Sequence, residues 1–212
     1  MSVLEIDTPS GLARAHLHHA RRPVGALVLG HGAAGGVGAR DLVAVTGVAN
    51  SEEVSVALVE QPYVVAGRRS SPPAPRLDEA WRAVVEELTR GELEGLPLIA
   101  GGRSAGARVA CRTAADTGAV AVLCLAFPLH PPGRAGDPAK SRLPELESVQ
   151  VPVLIVQGES DPFGMPPAGP DRSVVTVKGN HSLKSDLPAV EAAVRDWLPR
   201  VLPTRTASRP RR

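Results

Sequence analysis

The stretch "LPLIAGGRSAGARVACR", Leu96 to Arg112, holds a serine between two glycines where an apolar run gives way to helical spacing. In Gly102-Arg103-Ser104-Ala105-Gly106, the serine falls on a sharp turn between a buried strand and a helix. Such a turn is strained, and it lifts the hydroxyl above the sheet edge. Glycines two residues before and after let strand and helix approach closely, and Ala105 and Ala107 keep the crossing narrow. The Ala105 N–H then sits at a helix N-terminus, where the dipole favours negative charge. A plainer reading also fits: the glycines pack a tight turn and Ser104 merely caps the helix. The motif alone does not choose between them.

The surrounding chain supplies a frame. Short runs rich in Val, Leu and Ile start at Gly25 (GALVLGHG), Val54 (VSVALVEQP), Leu96, Ala119 (AVAVLCLAFP), Val151 (VPVLIVQG) and Arg172 (RSVVTVKG). Runs apolar on both faces predict parallel strands covered on both sides. Helical patterns lie between them. "LDEAWRAVVEELTR" has acidic residues in its opening turn and stops at Gly91, "SAGARVACRTAADTG" also ends in glycine, and "LPAVEAAVRDWLPRVL" supplies a last helix. Alternation of this kind predicts an α/β chain with a mostly parallel, doubly wound sheet. "SVLEI" and "RAHLHHA" alternate more and predict an antiparallel hairpin at the sheet edge. Residues 1–202 read as a single domain, and 203–212 as a basic, disordered tail. The segment after "HGAAGG" is short and acidic at its end, which predicts an abbreviated first helix.

A serine hydroxyl is a weak nucleophile that needs a base, and the base needs an orienting carboxylate. "VPVLIVQG" is followed by "ESDPFG", placing Asp161 in the loop at that strand's C-terminal end; "GNHSL" places His181 in the corresponding loop one strand later. Parallel strands bring those loops to the edge that carries the serine turn. Glu159 competes for the acid, and Asp161 is preferred because the loop position reaches further over the sheet edge. "LGHGAAGG", from Leu29, ends another strand in a small-residue loop whose Ala33 N–H is a natural second oxyanion donor, with His31 tying the loop down. The same letters fit a dinucleotide-binding G-x-G-x-x-G, with Glu60 as the ribose-binding acid. That reading leaves Ser104, Asp161 and His181 unexplained.

From about Gly25 to Leu202 the chain resembles the α/β-hydrolase superfamily. More narrowly it is similar to the compact, cap-less branch related to dienelactone hydrolases, which includes a testis-expressed hydrolase-like protein and a subunit of the nonspecific-lethal histone acetyltransferase complex. The likeness rests on "HGAAGG", "EQPYVVAGRRSSPPAP", "GGRSAGARVA", "AFPLHPPGR", "VQGESDPFG" and "GNHSL". The resemblance implies an α/β-hydrolase fold with helices on both faces of the sheet. It also implies Ser104 as nucleophile, Asp161 as acid, His181 as base, and Ala33 and Ala105 as oxyanion donors. The expected activity is hydrolysis of a small ester or thioester without metal or organic cofactor. The chromatin-complex relative suggests a second expectation, a catalytically silent binding or scaffold module. Only "PLHPPGRAGDPAKSRLPELESVQ" separates Phe127 from Val151, too short for a cap domain, so the site is expected to be open.

Composition narrows the rest. Aromatic residues make up 2% of the chain and the formal net charge is +2, which argues against a stacking surface for nucleic-acid bases. No apolar run approaches the length of a membrane span, and the start lacks a basic-then-apolar signal, so a cytoplasmic protein with no membrane partner is expected. Cys111 and Cys124 are expected as buried free thiols. Arg68, Arg69 and Arg103 are candidates to meet an acidic group on a substrate, and His130 a candidate to line the site. Without nearby Cys or acid clusters, His16, His18 and His19 make a poor metal site. Trp81 and Trp197 are expected to pack in the core or at its rim.

Overall fold

The computed structural model describes residues 2–33 and 35–202; the basic tail at 203–212 lies outside the described residues. Eight strands form one sheet: β1 (Ser2–Thr8), β2 (Gly11–His18), β3 (Gly25–Gly30), β4 (Val54–Glu60), β5 (Leu98–Arg103), β6 (Ala121–Leu125), β7 (Val153–Gly158) and β8 (Arg172–Val177). Their order is β1-β2-β4-β3-β5-β6-β7-β8. β1 and β2 pair antiparallel and β2 joins β4 antiparallel, so the N-terminal hairpin caps one edge as expected. The six strands from β3 onward are parallel. β3, β4, β6 and β7 are almost wholly buried, which is why they lack alternation.

Among the described residues there are six α-helices: α1 (Arg40–Ser51), α2 (Pro62–Val65), α3 (Ala74–Arg90), α4 (Ala105–Thr113), α5 (Leu143–Glu147) and α6 (Leu187–Val201). One face of the sheet packs under α1 and α6, through Leu42, Val45, Val190 and Val194. The other packs under α3 and α4, through Trp81, Val84, Val109 and Ala110. Trp81 is fully buried and Trp197 nearly so.

Two helices depart from the sequence reading. α1 is not abbreviated; it runs 12 residues, because Leu42, Val45, Val48 and Ala49 recur at helical spacing and bury, while the acidic Glu52 and Glu53 fall beyond its end. α3 starts at Ala74, earlier than the acidic "LDE", with a proline in its first turn in place of an acid. Between β6 and β7 stand only a 3-10 turn (Pro138–Lys140) and the five-residue α5. Arg108 of α4 holds Glu145 of α5 in a two-pronged ion pair, so this segment lies against the α4 face and forms no cap domain.

The chain leaves β3 for β4 on one side and returns to β5 on the other. The crevice beyond the carboxyl ends of β3 and β5 is therefore the switch point of the sheet, where open α/β sheets bind ligands.

Candidate active site

Ser104 stands between β5 and α4 at φ 52, ψ −109. A non-glycine residue in that region costs about 1–3 kcal/mol and persists only where surroundings impose it. Here the Ser104 N–H donates to Leu125 O (2.9 Å) and the Gly106 N–H to His31 O (3.1 Å), pinning the turn from two neighbouring strands. A Cβ on Gly102 would meet Gly30 O at 2.6 Å, and one on Gly106 would collide with the same carbonyl. Ser104 makes no side-chain cap bond to α4. The capping reading of the motif therefore falls, because its hydroxyl is engaged elsewhere.

That partner is His181, whose Nε2 lies 2.9 Å from Ser104 Oγ, while its Nδ1 lies 2.8 Å from Asp161 Oδ2. The carboxylate fixes the tautomer: Nδ1–H donates to Asp161, leaving Nε2 to accept the serine proton. Asp161 is the partner and Glu159 stays exposed outside the site. The Asp161 side chain is 1% exposed and that of His181 17%. Phe163 packs edge-on against the imidazole, with ring centroids 4.4 Å apart.

Gln157, at the end of β7, escapes the sequence reading. Its Nε2 donates to Asp161 Oδ2 (2.8 Å) and lies within reach of the Phe127 and Gly164 carbonyls, while the Phe163 N–H donates to Asp161 Oδ1 (2.9 Å). The signal is present in "VLIVQG", an amide at the end of an otherwise apolar buried strand.

The loop after β3 closes the other side. A Cβ on Gly32 would lie 3.5 Å from Ser104 Cβ, so this loop runs directly beside the serine. His31 holds it: Nδ1 lies 2.8 Å from Gly32 O, and the Gln61 N–H donates to Nε2 at 3.1 Å. Burial keeps this imidazole below its usual pKa, consistent with a neutral ring that donates once and accepts once. Tyr63 Oη donates to Ala33 O at 3.0 Å. The Ala105 N–H, first in α4, has no carbonyl one turn below it to bond.

A family model described as an alpha/beta hydrolase domain matches residues 23–186. The chain belongs to the alpha/beta hydrolase family. Among solved structures, this alpha/beta hydrolase is similar to an a/b serine hydrolase without lid from Xanthomonas campestris (18% identity, 96% of each chain covered, TM-score 0.79). It is similar to Est1E from Butyrivibrio proteoclasticus with ferulic acid bound (17% identity, 93% of this chain and 98% of that one, TM-score 0.76). It is also similar to a dienelactone hydrolase from Anabaena variabilis (15% identity, 95% and 98%, TM-score 0.75). These likenesses show a shared alpha/beta hydrolase fold. No curated protein matches the sequence.

The remaining candidates divide. Arg103 is engaged within the chain: its Nε lies 2.9 Å from Asp41 Oδ2, and its Nη2 donates to the His181 carbonyl at 3.1 Å. The Asp41 side chain is 1% exposed, so the guanidinium pairs with a buried carboxylate. Burial nonetheless raises the Asp41 pKa, with Arg103 opposing. His130 is buried in the loop after β6, its N–H donating to Phe163 O at 2.9 Å and its Nδ1 without a partner among the described residues. Arg68 and Arg69 are exposed on the loop after α2. His16 pairs with Glu60 (3.0 Å) and His19 with Glu92 (3.4 Å), and no group of three or more metal-ligating side chains occurs among the described residues. Cys111 and Cys124 are buried free thiols with Sγ atoms 3.5 Å apart. Among the described residues no helix is long and apolar enough to cross a membrane.

Proposed function

We propose that this alpha/beta hydrolase cleaves a small ester or thioester through an acyl-enzyme on Ser104. The observation that carries the reading is the unbroken run Ser104 Oγ, His181 Nε2, His181 Nδ1, Asp161 Oδ2, with contacts of 2.9 and 2.8 Å. Ser104 Oγ attacks the carbonyl carbon while His181 takes its proton, and Asp161 stabilises the imidazolium. The oxyanion is received by the Ala33 and Ala105 N–H groups. The C–O or C–S bond breaks as His181 protonates the leaving alcohol or thiol. Water then gives a proton to His181 and its oxygen to the acyl carbon, and the serine is regenerated as the acid departs. Every step uses side chains and backbone of this chain, and the reading calls on no cofactor, nucleic acid or membrane. A cytoplasmic setting fits the buried free thiols at Cys111 and Cys124.

The test is labelling of purified protein with a fluorophosphonate, beside Ser104→Ala and His181→Ala. Labelling of the parent that is lost in the serine variant and strongly slowed in the histidine variant is the expected result. A folded parent that does not label refutes the reading and favours the scaffold expectation.

A further inference from the structure

Beyond the oxyanion loop lies a cavity of about 540 Å³ that the mechanism does not use. It opens at the same carboxyl edge of the sheet, between the β1–β2 turn, the loop after α2 and the start of α3. Arg68 and Arg76 both line it, Ser70 and Ser71 add hydroxyls, and no Asp or Glu is among its lining residues. Neither arginine side chain has a carboxylate partner among the described residues. Glu79, outside the lining, accepts from Ser10 Oγ of the lining at 3.3 Å. Gln61, 5% exposed, also lines the cavity; its Nε2 donates to Leu77 O at 3.3 Å and its Oε1 has no partner among the described residues. The cavity thus presents two exposed guanidiniums, no carboxylate among its lining residues, and a buried acceptor left over. Buried polar atoms are rarely left unpaired without a reason.

Tyr63 connects this cavity to the reacting centre. It is a wall residue whose hydroxyl holds the Ala33 carbonyl at 3.0 Å, on the loop beside Ser104. Gln61 and Pro62, just past the end of β4, line the cavity, and β4 stands two strands from β5, which sets the cavity roughly 10 Å or more from the serine turn at ordinary strand spacing.

We infer that this cavity is a subsite for a phosphate group on the substrate, so that the substrate class is a phosphorylated ester or thioester. The inference rests on the acyl-transfer reading for what happens at Ser104, and on the cavity alone for the anion. A phosphate dianion neutralises both guanidiniums and offers three terminal oxygens to a site rich in donors; a single carboxylate leaves one charge uncompensated. The volume exceeds what a phosphate fills, leaving room for the part of the substrate that carries it, with Gln61 Oε1 accepting from a hydroxyl or amide there.

Titration calorimetry with pyrophosphate on the full chain tests the anion site directly, with succinate as the carboxylate comparison. Binding of pyrophosphate that weakens about tenfold in Arg68→Gln and again in Arg76→Gln is expected. In parallel, acetyl-pantetheine and acetyl-4′-phosphopantetheine, which differ by one phosphate, are compared as substrates. The parent should favour the phosphorylated thioester in kcat/KM, and the double variant should lose that preference while keeping its activity on the other. No pyrophosphate binding, binding unchanged in the double variant, or tighter binding of succinate overturns the inference. Failure of the acyl-transfer reading looks different: neither thioester turns over and no fluorophosphonate labelling occurs, whatever pyrophosphate does.

Discussion

Replacing Arg103 by methionine removes the charge that faces Asp41 while keeping most of the side-chain volume. The carboxylate left behind is 1% exposed, its Oδ1 still accepting from the Leu42 N–H at 3.0 Å. Breaking a buried pair by deleting one partner costs about 3–5 kcal/mol. The lower figure, about 3 kcal/mol, is expected at pH 8, because the Arg103 side chain is itself 18% exposed and Asp41 can escape by taking up a proton. The sign with pH follows from burial, which already raises the Asp41 pKa above its usual value of 3.8. A carboxyl whose folded pKa is raised gives its full stability at low pH and loses it as pH rises through the folded value. Without Arg103 that value climbs further, so the deficit should shrink toward pH 5. Urea unfolding of the parent, Arg103→Met, Asp41→Asn and the double variant at pH 5 and pH 8 measures this. The double variant should cost less than the sum of the singles by at least about 1 kcal/mol at pH 8. Additive losses, or a loss under about 1 kcal/mol at both pH values, would refute the reasoning. Because Arg103 also holds the His181 carbonyl, fluorophosphonate labelling of the single variant should slow about tenfold, the equivalent of one lost hydrogen bond.

Other expectations concern separate parts of the molecule. His31 has its pKa lowered by burial, so the unfolded chain binds more protons just below pH 6.5; stability should be full above that value and fall as pH drops through it. A His31→Gln variant should flatten that slope in denaturant titrations. Gln157→Leu should slow labelling about tenfold by freeing Asp161, with circular dichroism unchanged. Gly106→Ala should cost several kcal/mol, about 3 or more, since its new methyl meets the Gly30 carbonyl and the turn cannot open; thermal unfolding reads the loss. The Cys124 thiol has its pKa pushed well up by its bond to Cys111 and by burial, so neither thiol should react with a disulfide reagent in the native state, and both should on unfolding.

Ser104, Asp161 and His181 are legible in the sequence because each follows an apolar run, and parallel strands carry such loops to one edge. Gln157 and Asp41 are not, since a polar residue that will be buried looks in sequence like one that will be solvated. Arg103 looks like a free cation for the same reason. Its destination depends on a carboxylate far earlier in the chain, and only the packing of α1 against the sheet brings the two together. The acidic residues that follow α1 suggest a short helix, although Leu42, Val45, Val48 and Ala49 keep helical spacing throughout and all bury.

The bare stretch between β6 and β7 bears on the fate of the acyl-enzyme proposed on Ser104. That segment holds only a 3-10 turn and the short α5, the latter tied to α4 by Arg108 and Glu145, and builds no lid domain over Ser104. A lidded enzyme can shield its covalent intermediate from bulk solutes, whereas the proposed acyl-enzyme on Ser104 would face small alcohols and thiols as well as water. Product partitioning should therefore follow the concentration and nucleophilicity of whatever is dissolved nearby. On the proposed mechanism, a medium rich in a good acceptor would turn transfer of the acyl group to water into transfer to that acceptor, a transferase by circumstance.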